Sequence, residues 1–309
     1  MDNFLLSVIV PVYNEENNIK PLLDRLFPIV KKYQYEIIFV DDGSTDKTAN
    51  TIKKIGGKNP QIKLLSFYRN FGHQMALSAG YEAARGDAVI TIDADLQDPP
   101  EIIDEMVKKW LKGVKIIYAK RRERHGESFF KLGTASLFYK LINFLSDTPI
   151  PTEVGDFRLL DKTVVSYLKS LKERPSFLRG LVAWAGFPTE YIYFKRNKRF
   201  SGETHYGFFK MLNFALDGIM SFSTKPLRLA TYFGFFSAGL GFIFIIYEFL
   251  KKVFYPESFV IGWIGLFIAV LFIGGIQLMT IGIIGEYVGK IYKEIQNRPK
   301  YLIKEKINL

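Results

Sequence analysis

The sequence predicts an α/β protein whose mostly parallel sheet is followed by a pair of membrane-spanning helices. Apolar, β-branched runs alternate with helix-like segments over the first part of the chain, as a parallel sheet requires. Two apolar stretches near the C-terminus are each long enough to cross a bilayer. The length of 309 residues accommodates both parts, one sizeable α/β domain and a membrane anchor.

Five strands and four helices are expected in the α/β part. The strand-like runs are Leu6–Val12, Glu36–Val40, Ile62–Phe67, Ala88–Ile92 and Lys115–Ala119. The helix-like segments lie near residues 16–32, 46–55, 73–85 and 100–111. Asp46 is a suitable N-cap for the second of these helices. Pro99 and Pro100 end the fourth strand and open the helix that begins at Glu101.

The two apolar stretches predict a transmembrane hairpin. Residues 229–250 carry one ionisable group, Glu248, and residues 259–285 carry none, whereas about 20 apolar residues suffice to span a hydrocarbon core of ~30 Å. The connection over 251–258 is short, so both ends of the hairpin face the same side of the membrane. Because the N-terminal part and the tail after Gly285 are both basic, the positive-inside rule places both termini in the cytoplasm.

Two further segments show the periodicity of amphipathic helices. Residues 128–146 form either a core-facing helix or a helix with an exposed apolar face, and the pattern does not choose between them. Residues 207–222 lie directly before the first span, which favours a helix in the plane of the membrane surface. The predicted organisation is a cytoplasmic domain over 1–206, an interfacial helix and linker over 207–227, the hairpin over 228–285 and a basic cytoplasmic tail over 286–309.

The net charge of +11 is interpreted as attraction to a membrane and not to nucleic acid. The basic residues are scattered, and no nucleic-acid-binding motif organises them. A basic surface beside a hydrophobic hairpin gains about 1 kcal/mol per Lys or Arg from anionic lipid headgroups. The chain contains no cysteine, which excludes disulfides and thiolate metal sites.

Acidic residues follow three of the predicted strands at the point where those strands end. Glu15 follows the first strand, Asp42 the second, and Asp93 and Asp95 the fourth. The carboxyl ends of parallel strands meet at one edge of a sheet, where open α/β sheets bind their ligands. Oxygen ligands suit a hard cation such as Mg²⁺ or Mn²⁺, which usually shares its coordination shell with substrate phosphates. The sequence therefore predicts a metal–diphosphate site at this edge.

Six motifs in a fixed order give the chain a resemblance to a known family. They are residues 11–15 (PVYNE), 41–46 (DDGSTD), 69–72 (RNFG), 93–100 (DADLQDPP), 155–160 (GDFRLL) and 199–206 (RFSGETHY). Together with the hairpin they extend over nearly the whole chain. The chain resembles the family 2 glycosyltransferases of the polyprenyl-phosphate group, which includes dolichol-phosphate mannose synthases and bacterial undecaprenyl-phosphate glucosyl- and aminoarabinosyltransferases.

The resemblance implies a nucleotide-sugar-binding GT-A fold and a role for each residue at a matching position. The nucleotide-sugar pocket would be lined by Pro11, Tyr13, Glu15, Asp42 and Asp93, and Asp42 would accept a hydrogen bond from the nucleotide. The resemblance also implies a divalent cation, Mg²⁺ or Mn²⁺, held against the diphosphate by Asp93, Asp95 and Gln97. The catalytic residues would be Asp95 and Asp156.

Asp156 stands where the family has the residue assigned as a catalytic base. The acceptor, however, is a phosphate monoester whose second pKa is about 6, so it needs little deprotonation at neutral pH. Asp156 therefore has three open roles. It acts as the base, it orients the acceptor and supports the positive charge at the anomeric carbon, or it is a structural residue.

The resemblance places the lipid phosphate at Arg199, Ser201, Thr204 and His205. The guanidinium fork of Arg199 suits the geometry of a phosphate. His205 stands where many members of the family have Lys, so a permanent positive charge is not expected there unless a phosphate raises the pKa of the imidazole. His73 and His125 are interpreted as surface residues or as residues that support the site.

These implications predict an inverting, membrane-anchored bacterial enzyme of the inner (plasma) membrane. It would transfer a sugar from a nucleotide donor to a polyprenyl phosphate lipid at the cytoplasmic face. Glucose from UDP-glucose onto undecaprenyl phosphate is the first expectation. UDP-N-acetylglucosamine, a UDP-aminoarabinose donor and GDP-mannose stay open, because the sequence does not show the pocket geometry that reads sugar hydroxyls.

Other functions fit the sequence less well. A processive polysaccharide synthase would carry a Gln-x-x-Arg-Trp motif, but no Trp in this chain follows an Arg. A dinucleotide oxidoreductase would have a Gly-x-Gly-x-x-Gly motif after the first strand, which is missing. An inactive membrane scaffold or flipping accessory would have little reason to keep the costly like charges of Asp42, Asp93, Asp95 and Asp156.

Small residues in the predicted spans leave the oligomeric state open. They permit close helix packing either between copies, in a homo-oligomer, or within one hairpin. They are Gly234, Ala238, Gly241, Gly274, Gly275 and Gly282.

Overall fold

The computed structural model of the protein describes residues 4–121, 154–171, 178–194, 223–254 and 263–309. These residues divide into two compact units. The first, here called the α/β unit, comprises the described residues up to 194 together with residues 298–309. The second, here called the hairpin unit, comprises residues 223–254 and 263–297.

Eight strands of the described residues form one sheet in the α/β unit. They are β1 (Leu5–Val12), β2 (Gln34–Asp41), β3 (Ile62–Phe67), β4 (Ala88–Thr91), β5 (Ile116–Arg121), β6 (Val154–Asp161), β7 (Thr189–Phe194) and β8 (Ile303–Ile307). Their order across the sheet is β7-β5-β6-β4-β1-β2-β3-β8.

Helices of the α/β unit connect most of these strands. They are α1 (Ile19–Val30), α2 (Thr48–Gly56), α3 (His73–Ala83), α4 (Ile103–Leu111, preceded by a 3₁₀ turn over Pro100–Ile102), α5 (Lys162–Ser170) and α6 (Leu178–Trp184). The apolar residues of α1 recur every three or four positions and are buried, as expected for a helix that packs one face on a sheet. Helix α3 comes especially close to the sheet, because a Cβ at Gly80 would meet Ile9 Cγ2 at 2.3 Å.

The direction of the strands defines the edge of the sheet that matters for function. β1 runs parallel to β2 and β4, and β2 runs parallel to β3, so the carboxyl ends of these four strands share one edge, here called the carboxyl edge. β6 runs antiparallel to β4, with Arg158 opposite Thr91. The beginning of β6, and Asp156 with it, therefore lies at the carboxyl edge beside the end of β4.

The five predicted strands are confirmed, with ends that differ by at most two residues. The predicted helices are confirmed as well, but α1 begins only at Ile19, because residues 15–18 form a turn in which Asn18 N donates to Glu15 O at 2.9 Å. The capping prediction for Asp46 was off by one position. The N-cap of α2 is Lys47, although Asp46 Oδ1 does accept from Thr48 N at 2.9 Å.

The hairpin unit consists of two long helices, α7 (Lys225–Phe254) and α8 (Trp263–Ile295), which contact each other. By length and composition both are able to cross a membrane, over Lys225–Phe254 and Ala269–Ile295. Almost none of the residues in their apolar windows is buried, which distinguishes them from core helices of a soluble protein. Tyr287 Oη donates to Ser223 O at 2.7 Å, which joins α8 to the start of α7.

The tail after the hairpin has more structure than the sequence indicates. Helix α8 continues ten residues past the predicted end of the span, and residues 303–307 then form β8, antiparallel to β3. The ring of Tyr301 stacks on Phe67 with centroids 4.8 Å apart. The amphipathic segments 128–146 and 207–222 lie outside the described residues. The linker that follows the second segment is described from residue 223 onward.

Candidate active site

The loops after β1 and β2 are joined at the carboxyl edge. Asn14, which has a positive φ of 55°, donates from its backbone N–H to Ser44 Oγ at 2.9 Å. Its side-chain Oδ1 accepts from Thr45 N at 2.9 Å. The first two motifs of the sequence therefore form one surface, which carries four of the residues that the resemblance assigns to the nucleotide pocket: Pro11, Tyr13, Glu15 and Asp42.

Three of those pocket residues lie on or directly after β1. Pro11 is buried within the strand opposite Val40. Tyr13 has 45% of its surface exposed, so its ring is available for stacking against a planar ligand. The carboxylate of Glu15 accepts from the side-chain amide of Asn18, while its backbone N–H donates to Thr48 Oγ1 at 2.8 Å.

Asp42 is buried and holds the loop that precedes α3. Its Oδ1 accepts from Phe71 N at 2.7 Å, and its Oδ2 accepts from Gly72 N at 2.9 Å. Burial raises the pKa of the Asp42 carboxyl, and these two N–H donors offset the effect only in part. The predicted hydrogen bond from a nucleotide would have to use the remaining lone pairs of the carboxylate.

Gly43 allows the same loop to approach β2 closely. The residue has a φ of 74°, a conformation that favours glycine. A Cβ at this position would lie 2.4 Å from the carbonyl carbon of Arg69, which belongs to the backbone. Only glycine fits here. Because it has no side chain, residues 69–74 are able to lie at the carboxyl edge.

Asp93, Asp95 and Gln97 follow β4 in a tight turn. Asp95 is buried, and its Oδ1 accepts from Gln97 N at 3.1 Å, while Leu96 between them has a φ of 60°. The side chain of Asp93 is 38% exposed and lies 3.9 Å from His73 Nε2. Partial burial raises the pKa of Asp93. The charge of His73 opposes this effect, and the neighbouring carboxylates of Asp156 and Asp95 reinforce it.

The donor set at this turn fits a divalent cation that a substrate completes. No group of three or more His, Cys, Asp or Glu side chains able to hold a metal is present among the described residues. Mg²⁺ is commonly held by one or two carboxylates together with substrate phosphates, and not by an all-protein cage. A bound cation would also relieve the repulsion between the carboxylates of Asp93 and Asp95.

Asp156 is surrounded by hydrogen-bond donors and positive charge. Its Oδ2 accepts from His73 Nε2 at 3.1 Å and lies 3.5 Å from Gln74 Nε2 and 3.4 Å from Arg179 Nη2. Its Oδ1 faces Arg158 Nη2 at 3.7 Å. Thr91 Oγ1 donates to the backbone carbonyl of Asp156, which fixes the residue against the end of β4.

These neighbours shift the pKa values of the cluster in opposite directions. Burial would raise the pKa of Asp156, but the charge of Arg179, the hydrogen bond from His73 and the charge of Arg158 outweigh it and hold this pKa well below its usual range. Burial would lower the pKa of His73, but the hydrogen bond to Asp156 and the charges of Asp93 and Asp156 raise it to about 9. At neutral pH the pair is a carboxylate and an imidazolium.

Sequence reasoning missed several members of this cluster. His73 was assigned only a surface or supporting place, although it directly follows the 69–72 motif and contacts Asp156. Arg158 lies within the 155–160 motif, and that was the available signal for it. Gln74 and Arg179 had no signal in the sequence. The assigned lipid-phosphate residues Arg199, Ser201, Thr204 and His205, and also His125, lie outside the described residues.

Comparison with known proteins supports the assignment of the motifs. Residues 7–168 match the model of glycosyl transferase family 2, and residues 225–291 match the model of the GtrB C-terminal hairpin. The chain is 44% identical to the uncharacterized glycosyltransferase YkcC of Bacillus subtilis, over 97% of this chain and 93% of that protein. It is 43% identical to the SfII prophage-derived bactoprenol glucosyl transferase of Shigella flexneri, over 97% of each chain.

The fold also resembles that of solved structures. Mannosyl-3-phosphoglycerate synthase from Rubrobacter xylanophilus superposes with a TM-score of 0.51 at 17% sequence identity, covering 70% of this chain and 72% of that one. This likeness and the family match confirm the GT-A fold that the motifs indicate. The chain belongs to glycosyl transferase family 2 and is a glycosyltransferase that carries a GtrB-type C-terminal hairpin.

Proposed function

We propose that this protein transfers glucose from UDP-glucose to the phosphate of a polyprenyl lipid, undecaprenyl phosphate, at the cytoplasmic face of the membrane. The observation that carries the proposal is the full-length similarity to proteins named bactoprenol glucosyl transferases, at 43% identity over 97% of the chain. The similarity includes the hairpin as well as the catalytic unit, so it extends to the part that would hold the enzyme at a lipid acceptor.

The order of the two units along the chain supports a membrane-anchored enzyme with both hairpin ends on one side. The described residues up to 194 and residues 298–309, which precede and follow the hairpin unit along the chain, belong to the same α/β unit. In this proposal the polypeptide returns across the membrane to the side from which it entered. The positive-inside rule makes that side the cytoplasm, where a nucleotide sugar is available.

The carboxyl edge supplies the groups that the transfer needs. Tyr13 offers a ring for the base, and Asp42 offers a carboxylate for the nucleotide. Asp93, Asp95 and Gln97 would hold Mg²⁺ or Mn²⁺, which when bound neutralises charge on the leaving diphosphate. In the reaction, an oxygen of the lipid phosphate forms a bond to the anomeric carbon as the bond to the diphosphate oxygen breaks, which inverts the configuration.

Among the roles left open for Asp156, we propose orientation and charge support, not general base catalysis. The lowered pKa makes its carboxylate a weak proton acceptor. The acceptor phosphate, with a second pKa of about 6, is largely dianionic at neutral pH and needs no base. A fixed carboxylate near the anomeric carbon would instead stabilise the positive charge that develops there in the transition state.

The test is a transfer assay on the full-length protein. Purified protein in detergent is incubated with undecaprenyl phosphate, Mn²⁺ and one labelled donor at a time: UDP-glucose, UDP-N-acetylglucosamine, UDP-aminoarabinose or GDP-mannose. Label is expected in the organic phase with UDP-glucose. Label from a different donor would overturn the choice of sugar, and no label from any donor would support an inactive scaffold.

Variants in the same assay test the site assignments. Asp95→Ala is expected to abolish transfer, because it removes a carboxylate from the proposed cation site. Arg199→Ala is expected to weaken use of the lipid acceptor and to leave donor affinity unchanged. Arg85→Gln is the control, since this exposed side chain precedes β4 at the opposite edge of the sheet.

A further inference from the structure

The Asp156 cluster contains more positive charge than its one central carboxylate balances. The guanidinium groups of Arg158 and Arg179 both face the single carboxylate of Asp156, whereas His73 lies between Asp156 and a second carboxylate, that of Asp93. Excess buried charge is costly unless a counter-charge joins it. The cluster therefore has the electrostatics of a site that receives an anion.

The two guanidinium groups differ in access. Arg158 is fully buried, so it contributes charge but cannot contact a ligand. Arg179 is 25% exposed, and its Nε is buried with no hydrogen-bond partner in the part of the chain described. Its contact with Asp156, at 3.4 Å, uses one of the five N–H donors that a guanidinium offers. Arg179 therefore retains donors for a further acceptor.

Arg179 is also fixed in place at the beginning of α6. Gln74 Oε1 accepts from the backbone N–H of Leu178 at 3.0 Å, and its amide nitrogen lies 3.5 Å from Asp156. Gln74 thus joins the backbone beside Arg179 to the carboxylate that holds the Arg179 side chain. A guanidinium fixed at both its backbone and its head loses little entropy when it binds a phosphate.

We propose that Arg179 binds a phosphate group of a substrate, and that Asp156 and Gln74 position it for this task. The proposal rests on the proposed function, which brings two phosphate ligands to this edge: the monoester of the lipid acceptor and the diphosphate of the donor. Either would present oxygens to the guanidinium fork. Arg199 was the arginine expected from the motifs, and Arg179 is a second one that no motif indicates.

The experiment compares Arg179→Gln, Arg179→Lys and the control Arg85→Gln in full-length protein. Initial rates are measured first with undecaprenyl phosphate varied at fixed UDP-glucose, and then with UDP-glucose varied at fixed undecaprenyl phosphate. Loss of a charge-assisted hydrogen bond should raise the KM of one phosphate substrate about tenfold to a hundredfold in Arg179→Gln. The substrate whose KM rises identifies the phosphate. Arg179→Lys keeps the charge but lacks the guanidinium fork, so its KM should lie between those of the wild type and Arg179→Gln.

A binding measurement separates this proposal from the proposed function. Dissociation constants of UDP and of farnesyl phosphate, a short polyprenyl phosphate, are measured by calorimetry for wild type and variants. If the wild type transfers no sugar, the proposed function fails, yet a weaker affinity of Arg179→Gln for either ligand would still support a phosphate site. If Arg179→Gln does not fold, the Arg179→Lys values decide. Values within twofold of wild type for both ligands and both substrates would overturn the proposal.

Discussion

Two buried charge clusters lie at opposite edges of the same sheet, and they differ in completeness. At the amino edge, near the beginnings of β1, β2 and β3, Glu36 pairs with Lys63 at 2.6 Å. Glu36 also accepts from Ser7 Oγ and from Arg85 N. One carboxylate faces one cation there, and neutral donors occupy the remaining lone pairs of the Glu36 carboxylate. Such a closed cluster has no capacity left for a ligand.

The cluster at the carboxyl edge is open. Asp156 faces the guanidinium groups of Arg158 and Arg179 and shares His73 with Asp93. Buried donors of Arg158 and Arg179 have no hydrogen-bond partner within the described ranges. Unsatisfied buried donors are rare in native structures and call for an explanation. The comparison indicates that ionic groups of the closed cluster serve the fold, whereas those of the open cluster serve a ligand.

The largest expected effect is on stability at the closed cluster. Lys63→Met leaves the Glu36 carboxylate buried and unpaired, so the free energy of unfolding should fall by about 3–5 kcal/mol. Denaturant unfolding of the detergent-solubilised protein measures it. The double variant Glu36→Gln/Lys63→Met removes both charges and should recover most of the loss. A double variant as unstable as the single one would show that this pair is not what stabilises the amino edge.

The next largest effect is the loss of stability when a glycine at each edge is replaced by alanine. Gly43→Ala, at the carboxyl edge, adds a Cβ 2.4 Å from backbone and should cost about 3 kcal/mol or more of stability. Gly113→Ala is the matched control at the amino edge, since φ there is 96° and nothing lies within 4 Å. It should cost about 1 kcal/mol. Equal losses would mean that conformation alone, not the approach of residues 69–70, requires Gly43.

The pH dependence of stability should distinguish the clusters on the alkaline side. The pKa of His73 is raised from 6.5 to about 9. The contribution of this residue to stability is therefore complete below pH 6.5 and is lost as the pH rises through 9. The pKa of Glu36 is lowered, so its contribution is lost only on acidification. The free energy of unfolding of the wild type should therefore fall over that alkaline range, and that of His73→Gln should not. An identical slope in both proteins would contradict the assigned pairing.

The smallest expected effect is on stability at the open cluster. Arg179→Gln removes a cation that Asp156 does not require for balance, because Arg158 and His73 remain. The free energy of unfolding should change by less than about 1 kcal/mol, measured beside Lys63→Met under the same conditions. A loss as large as that of Lys63→Met would show that Arg179 is a structural counter-ion.

The sequence was sufficient to predict that the acidic residues after three strands lie at one edge of the sheet. Acidic residues after β1, β2 and β4 are readable because a parallel sheet brings those strand ends to one edge. The Asp156 cluster is different, since His73 and Asp156 are 83 residues apart and meet only through the antiparallel pairing of β6 with β4. Local patterns carry no information about such a pairing.

The C-terminal strand was missed for another physical reason. Residues 303–307 alternate apolar and charged side chains, which in a short basic tail suggests a solvated segment. Among the described strands β8 is the last of the sheet and pairs with β3 alone, so it needs little apolar surface of its own. Its anchoring is supplied by neighbours such as Tyr301 on Phe67 and the ion pair of Lys53 with Glu305.

The most direct test of this account is hydrogen–deuterium exchange with and without UDP-glucose and Mn²⁺. If the carboxyl edge binds the donor, amides over 41–45, 71–74, 93–97 and 154–158 should become protected. Amides around the closed cluster, over 34–37 and 62–65, should exchange as before. Protection confined to the amino edge, or no protection at the carboxyl edge at saturating donor, would contradict the assignment of the open cluster and its neighbours as the active site.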